Sequence, residues 1–158
     1  MNPNYLRWRL NLYPPYFGTG IHVTHIADDF RRIVVEMKLR WYNKNYVGTH
    51  FGGSLSAMTD PFYMLMMIQV LGRDYIVWDQ AGTIEYRKPG RGRVRAEFVI
   101  EDALIEEVRQ ATGRLRFAEG KKHSARGRLR VFRSLEIVRL CLHSRALPET
   151  GSETLNVC

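Results

Sequence analysis

The chain has 158 residues, 45% of them hydrophobic and 25% charged, with a formal net charge of +8 and two cysteines. That length fits one domain with a sizeable core, and that composition excludes wholesale disorder. Cys141 and Cys158 lack the supporting His pattern of a metal site, and in a cytoplasmic chain a disulfide is not expected. No secretory signal is legible in residues 1–17, and the longest apolar run, 61–71, is far short of the ~20 residues of a membrane span. The expectation is a soluble, cytoplasmic protein.

The excess charge is uneven. Residues 1–112 carry 14 Lys and Arg against 12 Asp and Glu, whereas residues 113–158 carry 10 against 4. A near-neutral body with a basic tail argues against nucleic-acid binding as the main function, since no recognised module accompanies the Arg clusters.

In chain order, the aromatic stretch through Pro14-Pro15 predicts a short helix or arm and then a turn. Gly20 to Ile26 reads as a strand, on which His22 and His25, three apart, are expected to face opposite sides. Arg31 to Arg40 alternates Ile33, Val35, Met37 and Leu39 with Arg32, Val34, Glu36 and Lys38, the period of a half-buried strand. The loop 41–53 leads into an apolar segment, Ser54 to Leu71, read as a buried helix ended by Gly72. Pro61 either kinks that helix or starts it, with Asp60 as N-cap. Tyr75 to Arg87 reads as a long strand, turning at Pro89-Gly90-Arg91-Gly92. Arg93 to Ile100 reads as another, with Val94, Ala96, Phe98 and Ile100 on one face. Asp102 is expected to cap an amphipathic helix carrying Leu104, Ile105 and Val108. Strand, strand, buried helix, strand, strand, helix is an α+β order.

The chemistry-bearing residues lie between 45 and 60. Asn45, Gly52-Gly53 and Asp60 fall at fixed intervals across a loop-to-helix junction. A glycine pair lets a ligand approach backbone N–H groups, and a helix start favours developing negative charge. Each residue alone has a plain structural reading: Asn45 in a turn, Gly52-Gly53 in a turn, Asp60 as a helix cap, His50 as an exposed loop residue. Met58, Met64, Met66 and Met67 are most simply core packing.

On these residues the chain resembles the hotdog-fold thioesterase superfamily, and within it the phenylacetate-pathway type of acyl-CoA thioesterase. Closer still is an uncharacterised bacterial thioesterase-like hotdog family with Gly-Gly and Asp-Pro in the central helix. The thioesterase pattern is an Asn, six residues to His-Gly-Gly, then an Asp nine after the His. Asn45, Gly52, Gly53 and Asp60 match, Phe51 stands where the His belongs, and His50 is one position early. Tyr86-Arg87-Lys88-Pro89-Gly90 resembles the segment that often lies near the CoA phosphates.

The resemblance implies a curved antiparallel sheet wrapped around a long central helix. It implies hydrolysis of acyl-CoA thioesters in a homodimer or tetramer, with no cofactor and no metal. Asp60, Asn45, Gly52 and Gly53 would be catalytic, and Phe51, His50, Arg87, Lys88 and Arg91 would contact substrate. The alternative is a hotdog protein that binds acyl-CoA or a fatty acid without turnover; a hotdog dehydratase ranks low for want of a His-Asp pairing. The implied domain is 1–112, with an arm at 1–19. Residues 113–158 form an atypical basic tail in place of the last two strands, which suggests a change of reading frame near Thr112 and predicts an exposed sheet edge.

Overall fold

Gly20 is where the N-terminal arm becomes the sheet. The arm is two helices, α1 (Pro3–Leu12) and α2 (Pro14–Thr19), each opened by prolines whose missing N–H costs nothing in a first turn. Gly20, at φ 75°, ends α2 in the left-handed conformation and turns the chain into β1 (Ile21–Ile26). The computed structural model describes residues 1–73, 75–77, 79, 84–86 and 88–119, and the backbone of 129–131, 140–141 and 152–157.

β1 pairs antiparallel with β2 (Arg32–Lys38), and β2 with β5 (Arg93–Val99). Alternation decides which side faces inward: Ile33, Val35 and Met37 of β2 and Val94, Ala96 and Phe98 of β5 are all buried. Val34 breaks the pattern and is also buried, at 3% exposure. The two histidines of β1 depart from expectation. A bulge between Val23 and His25 shifts the register by one, so His22 and His25 are both exposed and Ile26 returns to the core.

The apolar segment is not one helix. It divides into α3 (Gly52–Ala57) and α4 (Phe62–Leu71). Thr59 Oγ1 donates to Ser56 O at 2.9 Å, closing α3, and Pro61 sits at the cap of α4 rather than in its first turn. Proline cannot donate an N–H, so the ladder breaks there. Asp60 makes no side-chain capping bond to α4. Phe62, Met66, Met67 and Leu71 are the buried side of α4, each worth about 1.5–3 kcal/mol on burial. Met64, Leu65 and Ile68 form a half-buried apolar stripe beside them. Phe62 joins the layers: its ring lies 4.9 Å from Phe98 of β5 and 5.9 Å from Tyr16 of α2.

Gly72 ends α4 at φ 83°, ψ −169°. Within the predicted strand 75–87 the described parts are β3 (Tyr75–Val77) and β4 (Ile84–Glu85). The turn 89–92 lies against the loop before α3, with His50 N donating to Gly90 O at 3.0 Å and Leu39 N to Gly92 O at 2.7 Å. α5 (Asp102–Glu119) packs Ile105 and Val108 into the core and runs on through Gly113. Asp102 binds Arg31 from the first turn, while Glu101 O accepts the N–H groups of Leu104 and Ile105.

Helices and sheet together make an α+β fold. The sheet is not antiparallel throughout. β8 (Ser152–Val157) lies beside β5 in parallel register, β7 (Leu140–Cys141) follows it, and β4 pairs parallel with β7. β3 pairs parallel with β6 (Leu129–Val131). A parallel neighbour needs a long connection back to the same end. Asn11 of α1 ties the arm to β1, accepting from Val23 N at 2.7 Å and donating to Val23 O at 3.1 Å.

Candidate active site

The loop 41–51 is built by two asparagines with different jobs. Asn43, only 2% exposed, is the hub. Its Oδ1 accepts from Arg40 N at 2.7 Å, and its Nδ2 donates to Thr19 O and Lys38 O, both at 2.9 Å. Its carbonyl accepts Phe51 N at 3.0 Å, so one residue joins the arm, the end of β2 and the start of α3. Asn45 is closed on its own loop: Oδ1 accepts from Val47 N and Thr49 N, and Nδ2 donates to Thr49 Oγ1 at 2.8 Å and His50 O at 3.3 Å. Asn43 carried no sequence signal that set it apart from its neighbour.

His50 is not an exposed loop residue. It is 2% exposed, and its Nε2 lies 3.1 Å from Gly92 O, fastening the loop to the 89–92 turn. Phe51 is the N-cap of α3 and is exposed, at 56%. Having no side-chain acceptor, it cannot cap the helix, and the N–H groups of Gly52 and Gly53 have no acceptor among the described residues. Both glycines lie under rings. A Cβ on Gly52 would come 3.4 Å from the Tyr86 ring and hydroxyl, and one on Gly53 would collide with the Phe51 ring. Tyr86 Oη donates to Gly52 O at 2.8 Å, and burial raises its phenol above the ordinary range.

Asp60 is exposed and follows the far end of α3. Six helical residues span about 9 Å, so within one protomer the whole helix separates the glycine N–H groups from the carboxylate. Two residues not singled out in the sequence stand near Asp60. Tyr16, 4% exposed, has its phenol pushed well up, by burial first, then by the charge of Asp60 and by Tyr13. Its hydroxyl has no hydrogen-bond partner among the described residues. Asp79 is held above the usual carboxylate range, by burial first and then by Asp60. β3 packs against α4, and Asp79 just beyond it feels the charge of Asp60 before that helix. Neither lay in a motif: Tyr16 is one aromatic among many, and Asp79 breaks a strand pattern without spacing to mark it.

Lys88 and Arg91 are exposed beside the 89–92 turn, while Arg87 lies outside the described residues. Among the described residues no group of three His, Cys, Asp or Glu is placed to hold a metal ion, and no helix is long and apolar enough to cross a membrane.

An α+β fold with a glycine-started helix packed against its sheet is the class that these elements define. Residues 4–128 match the family described as "Domain of unknown function (DUF4442)", and the chain belongs to that family. No curated protein matches it, and no solved structure does.

Proposed function

We propose that this protein is a hotdog-fold hydrolase of acyl-CoA thioesters, acting as a cytoplasmic homodimer or tetramer without a cofactor. The observation that carries the reading is the pair of uncapped N–H groups at Gly52 and Gly53. A thioester carbonyl accepting from them would have its developing oxyanion stabilised, and loss of one such donor typically costs ~3 kcal/mol of transition-state stabilisation. Asp60 supplies the carboxylate, as general base toward water or as direct nucleophile. Because α3 separates it from the glycines of its own chain, the acid comes from a partner subunit. The half-buried stripe Met64, Leu65 and Ile68 gives that subunit an apolar face to cover. Asn45 keeps the loop in shape, His50 anchors it, and Arg87, Lys88 and Arg91 meet the CoA phosphates.

One observation favours the alternative of an acyl-CoA or fatty-acid binder without turnover. The Phe51 ring occupies the space over Gly53, where the thioesterase pattern has a histidine. The reading is tested by free-thiol release from acyl-CoAs of varied chain length, with wild type beside Asp60→Ala. Release by the wild type and its loss in a folded Asp60→Ala variant is the expected result. Ligand retention by a folded oligomer that releases no thiol would replace hydrolysis with binding.

A further inference from the structure

The face of the sheet turned away from the core carries a ladder of alternating charges. Arg32 Nε meets Glu97 Oε1 at 2.6 Å, Arg95 meets Glu97 at 3.4 Å, and Arg93 meets Glu36 at 3.2 Å. The alternation fails at one end. Lys38 stands directly opposite Arg93 across the β2–β5 pair, an arrangement of like charges that destabilises a sheet. Lys38 and Arg40 have no carboxylate within 4.0 Å among the described residues.

At that same end β1 has no side chain to offer. Register pairs Ile21 with Met37 and His22 with Glu36, so the next position opposite Lys38 is Gly20. The gap opens a cleft of about 300 Å³ lined by Gly20, His22, Glu36, Lys38, Arg40 and Arg93. Three cations against one carboxylate leave it positive by two charges. Asn43 holds the rim, binding the backbone of both Lys38 and Arg40. Tyr42 borders the gap, its hydroxyl 3.0 Å from where a Gly20 Cβ would stand, and the exposed Trp41 ring lies 5.5 Å from that of Tyr42.

We infer that this cleft binds the phosphates of a nucleotide, with Lys38, Arg40 and Arg93 on the phosphate oxygens and the base stacked on Trp41 or Tyr42. The volume suits a diphosphate and leaves the base outside, against the exposed rings. Arg gives the forked donors that phosphate oxygens accept, and aromatic faces stack any base. Two sources share this chemistry: a free nucleoside diphosphate, and the ADP portion of a CoA ester other than the one proposed to lie at Gly52 and Gly53, whose phosphates meet Arg87, Lys88 and Arg91. The cleft lies on the opposite face of the sheet from α3 and α4, so anion binding and thiol release can fail independently.

The test is calorimetric titration of the full chain with inorganic pyrophosphate, ADP and CoA at fixed salt. Saturable binding of pyrophosphate and ADP is expected, weakened about tenfold for each cation removed in Lys38→Gln and Arg40→Gln. Glu36→Gln is expected to tighten it, a change of opposite sign that general damage to the fold would not produce. Arg73→Gln, outside the cleft, serves as control and is expected to change nothing. Competition between pyrophosphate and CoA would assign the cleft to the CoA phosphates, and simultaneous binding to a free nucleotide. No saturable binding of pyrophosphate or ADP, binding unaltered in the Lys38→Gln Arg40→Gln double variant, or capture of single-stranded oligonucleotide alone would overturn the inference.

Discussion

Replacing Asn43 by alanine should damage this protein more than any exposed substitution in the site. Three side-chain hydrogen bonds disappear at a residue that is 2% exposed: one accepted from Arg40 N and two donated to Thr19 O and Lys38 O. Each such bond contributes about 1 kcal/mol net, and a partner left buried without one costs more. The expected loss is therefore about 3 kcal/mol. With a urea m-value of about 2 kcal/mol/M for a domain of this size, the unfolding midpoint should fall by about 1.5 M. Asn43→Asp should be no better, because a carboxylate oxygen would replace the Nδ2 donor and face two carbonyls. The assay is urea unfolding followed by far-UV circular dichroism on all three proteins. A loss below about 1 kcal/mol for Asn43→Ala, or an Asp variant as stable as wild type, would refute the hub role.

Tyr16→Phe removes a hydroxyl without a partner among the described residues and keeps the stack on Phe62, so stability at neutral pH should change by less than about 0.5 kcal/mol. The raised Tyr16 phenol means that the folded state holds its proton longer than the unfolded state, so stability falls as pH rises above the ordinary phenol value of 10.0. Denaturation across that range should show a shallower fall in Tyr16→Phe. Asp79 follows the same sign on the acid side: its carboxyl is raised above 3.8, so ionisation costs stability as pH climbs through its folded value. Asp79→Asn should therefore be more stable than wild type at neutral pH, and in Asp60→Asn an NMR titration of Asp79 should move back toward the ordinary range. Gly72→Ala meets no atom within 4 Å, yet at φ 83°, ψ −169° it should lose about 1–3 kcal/mol by thermal melting from backbone strain alone.

Period-two alternation made β2 and β5 legible, because each buries one face against helices and leaves the other in water. Val34 and the bulge in β1 were not legible. Both depend on what lies across the strand, and no local pattern records that. The break at Pro61 was visible as a choice between kink and start, and Thr59 decides it by closing α3 first. In the candidate site, the intervals placed Gly52 and Gly53 at a helix start. They said nothing of the rings over them, since Tyr86 reaches Gly52 from a segment 34 residues away. Asn43 and Asn45 read alike in sequence. Only burial and the carbonyls of two other elements separate a residue that joins three parts of the fold from one that shapes its own loop. Tyr16 and Asp79 escaped for the same reason, because nearness to Asp60 is set by tertiary packing, of α2 against Phe62 for Tyr16 and of β3 against α4 for Asp79, and no local spacing records it.

The two hydrogen bonds between Asn11 and Val23 bear on how copies of this chain can associate. A carboxamide offers the same N–H and C=O as a peptide group, so Asn11 fills one rung of a strand that is absent. Among the described residues β1 is the last strand on its side of the sheet, and an incoming chain that tried to lengthen the sheet there would first have to displace that amide and lift α1 away. Sheet growth across β1 is thereby terminated by a side chain. If the proposed dimer forms, it must therefore use another surface, for which the half-buried apolar stripe Met64, Leu65 and Ile68 on α4 is a candidate.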